Sequence, residues 1–241
     1  MDVFIANAGL GSTKFRMTED NEETITTNVV STALVAFLVH PKLSETAKKF
    51  NTQTYFTYTA SELYEIAKFK ERQAPTGQLF AYLNDEKKSN MGDRYNVSKL
   101  LGVFLIKQMA AMSPLSSSGV IINCVAPGCV SFSPPSERML TFFVSCSFCQ
   151  SELGREVTQD SAIARFLIRI LARPTEVGAR TLVYGASEAG PESHGQYVPD
   201  CKITPTVGLT KGKEGAALQE RFWSELRVKL EDIKPGVTTL S

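Results

Sequence analysis

Four short apolar runs, each cut off by turn residues and set among longer helical patterns, constrain this chain more than any other feature. "DVFIANAGL" (Asp2 to Leu10) stops at Asn-Ala-Gly and reads as a buried strand entering a loop. "TQTYFTYTAS" alternates β-formers, "SGVIINCVAPG" (Ser118 to Gly128) is a continuous apolar run ending at Pro-Gly, and "GQYVPDCKI" is a last short strand. Helical patterns fill the intervals. Thr18 with acidic residues behind it predicts a helix start, and Pro41 predicts its stop. "DRYNVSKLLGVFLIKQMAAM" (Asp93 to Met112) is a long apolar helix. "DSAIARFLIRILA" is amphipathic and halted by Pro174, "GARTLVYGAS" resumes a helix pattern, and "EGAALQERFWSELRVKLEDI" forms a terminal helix. The stretch from Glu62 to Asp93 is charged and irregular, with Pro75, Gly77 and Gly92. Strands alternating with helices imply an α/β fold, a doubly wound parallel sheet covered on both faces.

In such sheets ligands bind beyond the C-terminal ends of the strands. The residues with chemistry fall there: Asn7, Ala8 and Gly9 after the first strand, Ser61 after the second, Pro127 and Gly128 after the third. Tyr95 and Lys99 stand on the helix leading away from the second strand. Side chains at i and i+4 share one helix face, so the pair is either a proton donor with its electrostatic partner or two surface residues. The other positions carry the same ambiguity. Ser61 could cap the segment that follows it, Asn28 could bond only backbone, and Asn7–Gly9 could be an ordinary turn.

Charge narrows the class. The 26 Lys+Arg nearly cancel 25 Asp+Glu, which gives no reason to expect a nucleic-acid or polyanion partner. No run of 18 uncharged apolar residues occurs, so no membrane span is expected. The start carries no basic region of the secretory kind. Five cysteines, an odd number scattered among apolar runs, suit a reducing cytoplasmic setting. Cys146 and Cys149 form one Cys-x-x-Cys with no second pair, and His40 and His194 are the only histidines, so no metal site is expected.

Taken together, "NAG" (Asn7, Ala8, Gly9), Asn28, Ser61, "YNVSK" (Tyr95 to Lys99) and "APG" (Ala126 to Gly128) make the sequence resemble the short-chain dehydrogenase/reductase family. The long Ser61–Tyr95 segment and "GQYVPDCK" look like its retinol-dehydrogenase-like branch and that branch's fungal relatives. The resemblance implies an NAD(P)-dependent oxidoreductase that interconverts an alcohol and a ketone or aldehyde, in fungal secondary metabolism. The chemistry suits the residues. A free tyrosine titrates near ~10, too high for a base at neutrality, and a lysine ammonium one turn away favours the phenolate. Ser61 would hold the substrate oxygen near Tyr95, and Asn28 would hold a water linking Lys99 to solvent. Asn7, Ala8, Gly9, Tyr95, Lys99, Pro127, Gly128 and Ser151 would face the cofactor, with Gly9 allowing close backbone approach. Residues 64–92 would form a lid. Its Phe69, Leu79, Phe80, Tyr82 and Leu83 imply a small or medium apolar substrate.

Two departures from the family pattern stand out. The family's Thr-Gly-x-x-x-Gly-x-Gly turn, which binds pyrophosphate at a helix N-terminus, has no counterpart here. Asp2–Ala6 resembles the family's fourth strand, so the resemblance implies that residues 1–241 are a single partial domain lacking three βα units, roughly 80 residues at about 30 per unit. The residue that selects NAD or NADP would be expected in that part. Such a sheet exposes an edge that another chain, a homo-oligomer among the options, would complete. The second departure is "CVSFSPPSERMLTFFVSCS" (Cys129 to Ser147). Without it the chain reads "APGFCQSEL", close to the fungal relatives. It reads as a retained intron, since Gly-Cys-Val codons can hide a GT donor and Cys-Ser can end in AG, or else as a substrate-loop insertion. The alternative to an active enzyme is an inactive truncated member: a pseudoenzyme, a pairing module or an incomplete gene model.

Overall fold

The computed structural model describes residues 1–127 and 175–240. Its main sheet has four strands, β1 (Val3–Ala6), β4 (Thr54–Thr59), β5 (Val120–Ala126) and β6 (Tyr197–Pro199), in the order β1-β4-β5-β6. Every neighbouring pair is parallel, with Ile5 opposite Thr57, Thr57 opposite Asn123 and Cys124 opposite Tyr197. β2 (Met17–Thr18) and β3 (Asn21–Glu22) make a small antiparallel hairpin in the first crossover. The four strands are those the apolar runs predict, and the doubly wound class holds.

Alternation along the strands sorts the two faces. Phe56, Tyr58, Ile122 and Cys124 face the main apolar core, under α2 (Thr32–Phe50) and α4 (Arg94–Met112). Thr57, Asn123 and Val125 face the opposite way, under α6 (Thr175–Ser187). Gly185 makes that second face close: a Cβ there would lie 2.3 Å from Val125 Cγ1, and Asn123 Nδ2 donates to the Gly185 carbonyl at 2.8 Å. With both faces covered, β5 is buried along its whole length, which is why it reads as an unbroken apolar run. The last helix, α7 (Gly212–Ile233), lies on α4 and stacks Trp223 on Phe37 and Phe222 near Phe80.

The first crossover departs from expectation at both ends. Thr18 lies in β2 and caps nothing. The cap is Glu22, whose carboxylate accepts from Thr24 N and Ile25 N and starts α1 (Glu23–Ile25). A wide π-helical stretch, Thr26–Ser31, joins α1 to α2. Pro41 does not stop α2, which runs to Phe50 and ends on Asn51 in the left-handed conformation. A mid-helix proline removes one hydrogen bond, but Phe37, His40, Leu43 and Ala47 on both sides of it are buried, so packing holds the helix together. The joined helix, Glu23–Phe50, is long and apolar enough to cross a membrane by length and composition alone. Its apolar residues Val29, Ala33, Phe37 and Leu43 are core residues packed with the sheet.

The irregular stretch before α4 is more ordered than its composition suggests. It contains 3-10 turns at Glu62–Ile66 and Lys70–Gln73 and a short helix, α3 (Leu79–Leu83). Four of the five residues that imply an apolar substrate, Phe69, Leu79, Phe80 and Leu83, are buried in the main core. Packing accounts for their apolarity, which therefore says nothing about substrate polarity. α5 (Leu115–Ser118) leads into β5. The amphipathic run ending at Pro174, the Cys129–Ser147 insertion, Cys146, Cys149, Gly128 and Ser151 lie outside the described residues.

Candidate active site

Tyr95 hangs from the first turn of α4, and Lys99 follows one turn later on the same face, beyond the C-terminal ends of β1 and β4. Lys99 is 3% exposed. Its Nζ donates to the Thr59 carbonyl at 2.8 Å, where β4 ends. It also sits 5.6 Å from the Tyr95 ring centroid and 5.2 Å from that of Tyr58. Thr59 Oγ1 in turn donates to Asn7 Oδ1 at 3.0 Å, so the Asn-Ala-Gly loop is tied to the strand end that holds the lysine. Asn7 and Ala8 are exposed and Gly9 half-buried, with Pro127 directly after β5.

Ser61 caps the 3-10 turn, its hydroxyl accepting from Leu63 N at 3.3 Å, and its side chain lies near enough to the Tyr95 phenol to favour the phenolate. Asn28 lies in the π-helical stretch, where its Nδ2 donates to Leu10 O at 2.8 Å and Ser98 Oγ at 2.9 Å. Its Oδ1 accepts from Leu10 N at 2.9 Å. Both amide hydrogens are therefore used within the protein, and the side chain clamps the Leu10 peptide. Ser98 Oγ passes the connection on by donating to Tyr95 O at 2.7 Å. π turns of this kind recur at functional sites.

The clamp brings glycine backbone against the pair. A Cβ on Gly9 would lie 3.2 Å from Asn28 Oδ1 and 3.6 Å from Lys99 Nζ, and one on Gly11 would lie 3.1 Å from Tyr95 Cδ2. Sequence reasoning found Gly9 and missed Gly11, although "GLGS" offered the signal. It also missed Tyr58, which closes the floor of the site. Tyr58 is buried, its hydroxyl has no hydrogen-bond partner, and a Cβ on Gly102 would lie 2.3 Å from that oxygen.

Burial pushes the Tyr95 phenol up to about 12, with Ser61 pulling the other way. Burial also lowers Lys99, to about 8. Within the chain itself, desolvation thus opposes the charged form of both groups. The ammonium, moreover, is turned to the Thr59 carbonyl and the ring faces.

Lys99 uses one donor of three on Thr59, and the Gly9 backbone lies close beside it. That arrangement fits a ribose diol and a carboxamide, the nicotinamide half of a dinucleotide. For the pyrophosphate half, the described residues contain no glycine-rich strand-to-helix turn.

No family model matches the chain. It is 43% identical over 242 residues to the short chain dehydrogenase/reductase dmxR8 of Cryptosporiopsis sp., covering 99% of this chain and 68% of that protein. It is 30% identical to the short-chain dehydrogenase anuD of Penicillium roqueforti, covering 100% of this chain and 59% of the relative. The chain thus spans between 59% and 68% of the length of these relatives. Among solved structures, an uncharacterised protein from Mycobacterium paratuberculosis aligns over 95% of this chain and 67% of its own, with a TM-score of 0.58 and 16% identity, a likeness of fold.

Proposed function

The chain belongs to the short-chain dehydrogenase/reductase family, and we propose that Tyr95, Ser61 and Lys99 form the proton-transfer centre of an oxidoreductase that interconverts an alcohol and a ketone or aldehyde. One observation carries this reading: a buried lysine stands one turn from Tyr95, 5.6 Å from its ring, with Ser61 near enough to the phenol to favour the phenolate. A bound NAD or NADP would supply or take up the hydride. Gly9, Tyr95, Lys99 and Pro127 would hold its nicotinamide half, with Asn7 fixing the loop through Thr59. Ser61 orients the substrate oxygen, and Tyr95 moves a proton to or from it. A phenol at about 12 is protonated at neutral pH, which is the form that carbonyl reduction starts from. Lys99, at about 8, is mostly charged there and stabilises the phenolate left behind. Asn28 acts by holding Leu10 and Ser98 in place.

The setting we propose is fungal secondary metabolism, in the retinol-dehydrogenase-like branch, on the strength of the sequence resemblance. The test is Tyr95→Phe in the active form of the protein. Turnover is expected to fall nearly to nothing with cofactor binding retained. A variant that kept more than about a tenth of the rate, a loss under ~1.4 kcal/mol, would sink the acid–base role.

A second reading, an inactive pairing module, draws on the open side of β1. Among the described residues β1 pairs only with β4, and Val3 on it is 41% exposed. Sedimentation of the chain and of Val3→Lys separates the two: a self-associating chain that the lysine renders monomeric, with no turnover in either, would favour pairing.

A further inference from the structure

Directly before Tyr95 stand two buried charged residues that the proposed chemistry does not use. Asp93 occupies the N-cap position of α4, yet its side chain makes no cap hydrogen bond there. Its Oδ2 instead accepts from Lys68 N at 2.8 Å and Phe69 N at 3.1 Å. Phe69 has a φ of 44°, a left-handed conformation that costs a non-glycine residue energy and persists where surrounding bonds fix it. Arg94 is fully buried. Its Nη2 donates to Leu83 O at 2.9 Å and lies 3.4 Å from Glu71 Oε1, and its Nε lies 3.5 Å from Glu22 Oε2. Glu71 Oε1 also accepts from Asn90 N at 3.2 Å, and Glu22 caps the helix leading to Asn28.

These contacts share one geometric consequence. The segment joining Ser61 to α4 leaves the site at Ser61, passes Lys68, Phe69, Glu71 and Leu83, and returns at Asp93. Asp93 grips it early and Arg94 grips it twice further on. The two ends of that loop carry the hydroxyls of Ser61 and Tyr95.

We propose that Asp93 and Arg94 are a positioning pair: by holding the Lys68–Leu83 segment against the first turn of α4, they set the meeting of Ser61 with Tyr95. The proposal rests on the reading of those two hydroxyls as the reacting groups. An ordinary cap at Asp93 would leave Phe69 unsupported and free Ser61 to drift. A lysine at 94 would keep the charge but lose the planar fork that reaches a carbonyl and two carboxylates at once.

The test uses the 241-residue chain labelled with tyrosine at the ring Cζ, whose carbon resonance reports phenol hydrogen bonding. Tyr95→Phe assigns the Tyr95 signal, and Ser61→Ala gives its position without the serine bond. In Asp93→Asn and Arg94→Lys the Tyr95 signal is expected to move to the Ser61→Ala position, with Tyr55 and Tyr184, remote on the sheet and α6, unmoved. A Tyr95 signal that stays at its parental position in either folded variant overturns the proposal. So does a shift shared by Tyr55 and Tyr184, which would mark general loosening. Should Arg94→Lys fail to fold, Asp93→Asn decides alone. In the active form, the same variants are expected to lose at least tenfold in kcat with little change in KM. Turnover retained in Tyr95→Phe while the carbon shifts behave as expected would instead remove the catalytic reading and leave the positioning intact.

Discussion

The first turn of α4 and the turns that follow are built by opposite rules. From Leu100 to Met109 nearly every side chain is apolar and buried, including Leu101, Val103, Phe104, Leu105 and Ile106, because sheet, α2 and α7 surround the helix. The start of the helix is buried as well but polar: Asp93, Arg94 and Lys99 each reach a different piece of chain, and Ser98 accepts from Asn28. The apolar turns need only shape and volume, and tolerate substitutions that conserve them. The polar turn needs named partners, since a buried charge without one costs more than any methylene. Rigidity at the site thus comes from directed bonds at one helix end, and stability from undirected packing along the rest.

The sharpest test of that contrast is Arg94→Met. It leaves Glu22 and Glu71 buried without their cation, and is expected to cost about 3–5 kcal/mol in urea unfolding. Adding Glu22→Gln and Glu71→Gln should recover much of the loss, a rescue without parallel among the apolar turns. A cost below ~1 kcal/mol for Arg94→Met would show the polar turn to be as forgiving as its neighbours.

Titration separates the two ends of the helix next. His40 on α2 bonds Ser113 Oγ at 2.7 Å just past the last turn of α4, and burial, aided by Lys48 and His194, lowers it from 6.5 to about 4. A buried neutral histidine must take up a proton late, so the unfolded chain binds more protons between those values. Its contribution is therefore whole above pH 6.5 and lost as pH falls through 4, up to about 3 kcal/mol by the linkage relation. Lys99 works at the other end of the scale. Its depressed value means that stability rises with pH between about 8 and 10.5 and stays flat below. Unfolding curves of the parent, His40→Gln and Lys99→Met across pH should show each variant losing one of these slopes. Lys99→Met should be more stable than the parent at pH 7, although it removes a residue placed in the site.

Smaller effects refine the boundary between the two regimes. Gly102→Ala places a methyl 2.3 Å from the Tyr58 hydroxyl and should destabilise by about 1–3 kcal/mol through overpacking. Tyr58→Phe removes a buried hydroxyl without a partner and should change stability by less than ~1 kcal/mol, in either direction. A large loss in Tyr58→Phe would mean that the site floor belongs to the polar regime after all.

The same contrast explains what could be read in the sequence. All four strands and α4 were legible because an apolar period needs no knowledge of the partner. Tyr95, Lys99, Ser61 and the Asn-Ala-Gly loop were legible because their spacing and strand-end position carry a chemical pattern. Asp93 and Arg94 were not, although adjacent to Tyr95: their meaning lies in Lys68, Leu83, Glu71 and Glu22, and a charged dipeptide at a helix start reads as an ordinary cap. Thr18 was mistaken for the cap for the same reason, since only the fold shows Glu22 turned back onto Thr24 and Ile25. Pro41 misled because its local cost is visible in sequence, while the burial of Phe37 and Leu43 that offsets it is not.

The parallel register has a kinetic consequence. β1, β4 and β5 follow one another through two crossovers whose helices pack back at once, so that unit can close by successive short steps. β6 pairs with β5 only after the chain has travelled from Ala126 to Tyr197 and returned with α6 on the far face. Loop closure over that span must be completed before Cys124 meets Tyr197. Refolding from urea should therefore be biphasic. The Phe37–Trp223 stack should report when α7 docks, and protection of the Cys124 amide, which bonds Gln196 O, should appear in the slower phase.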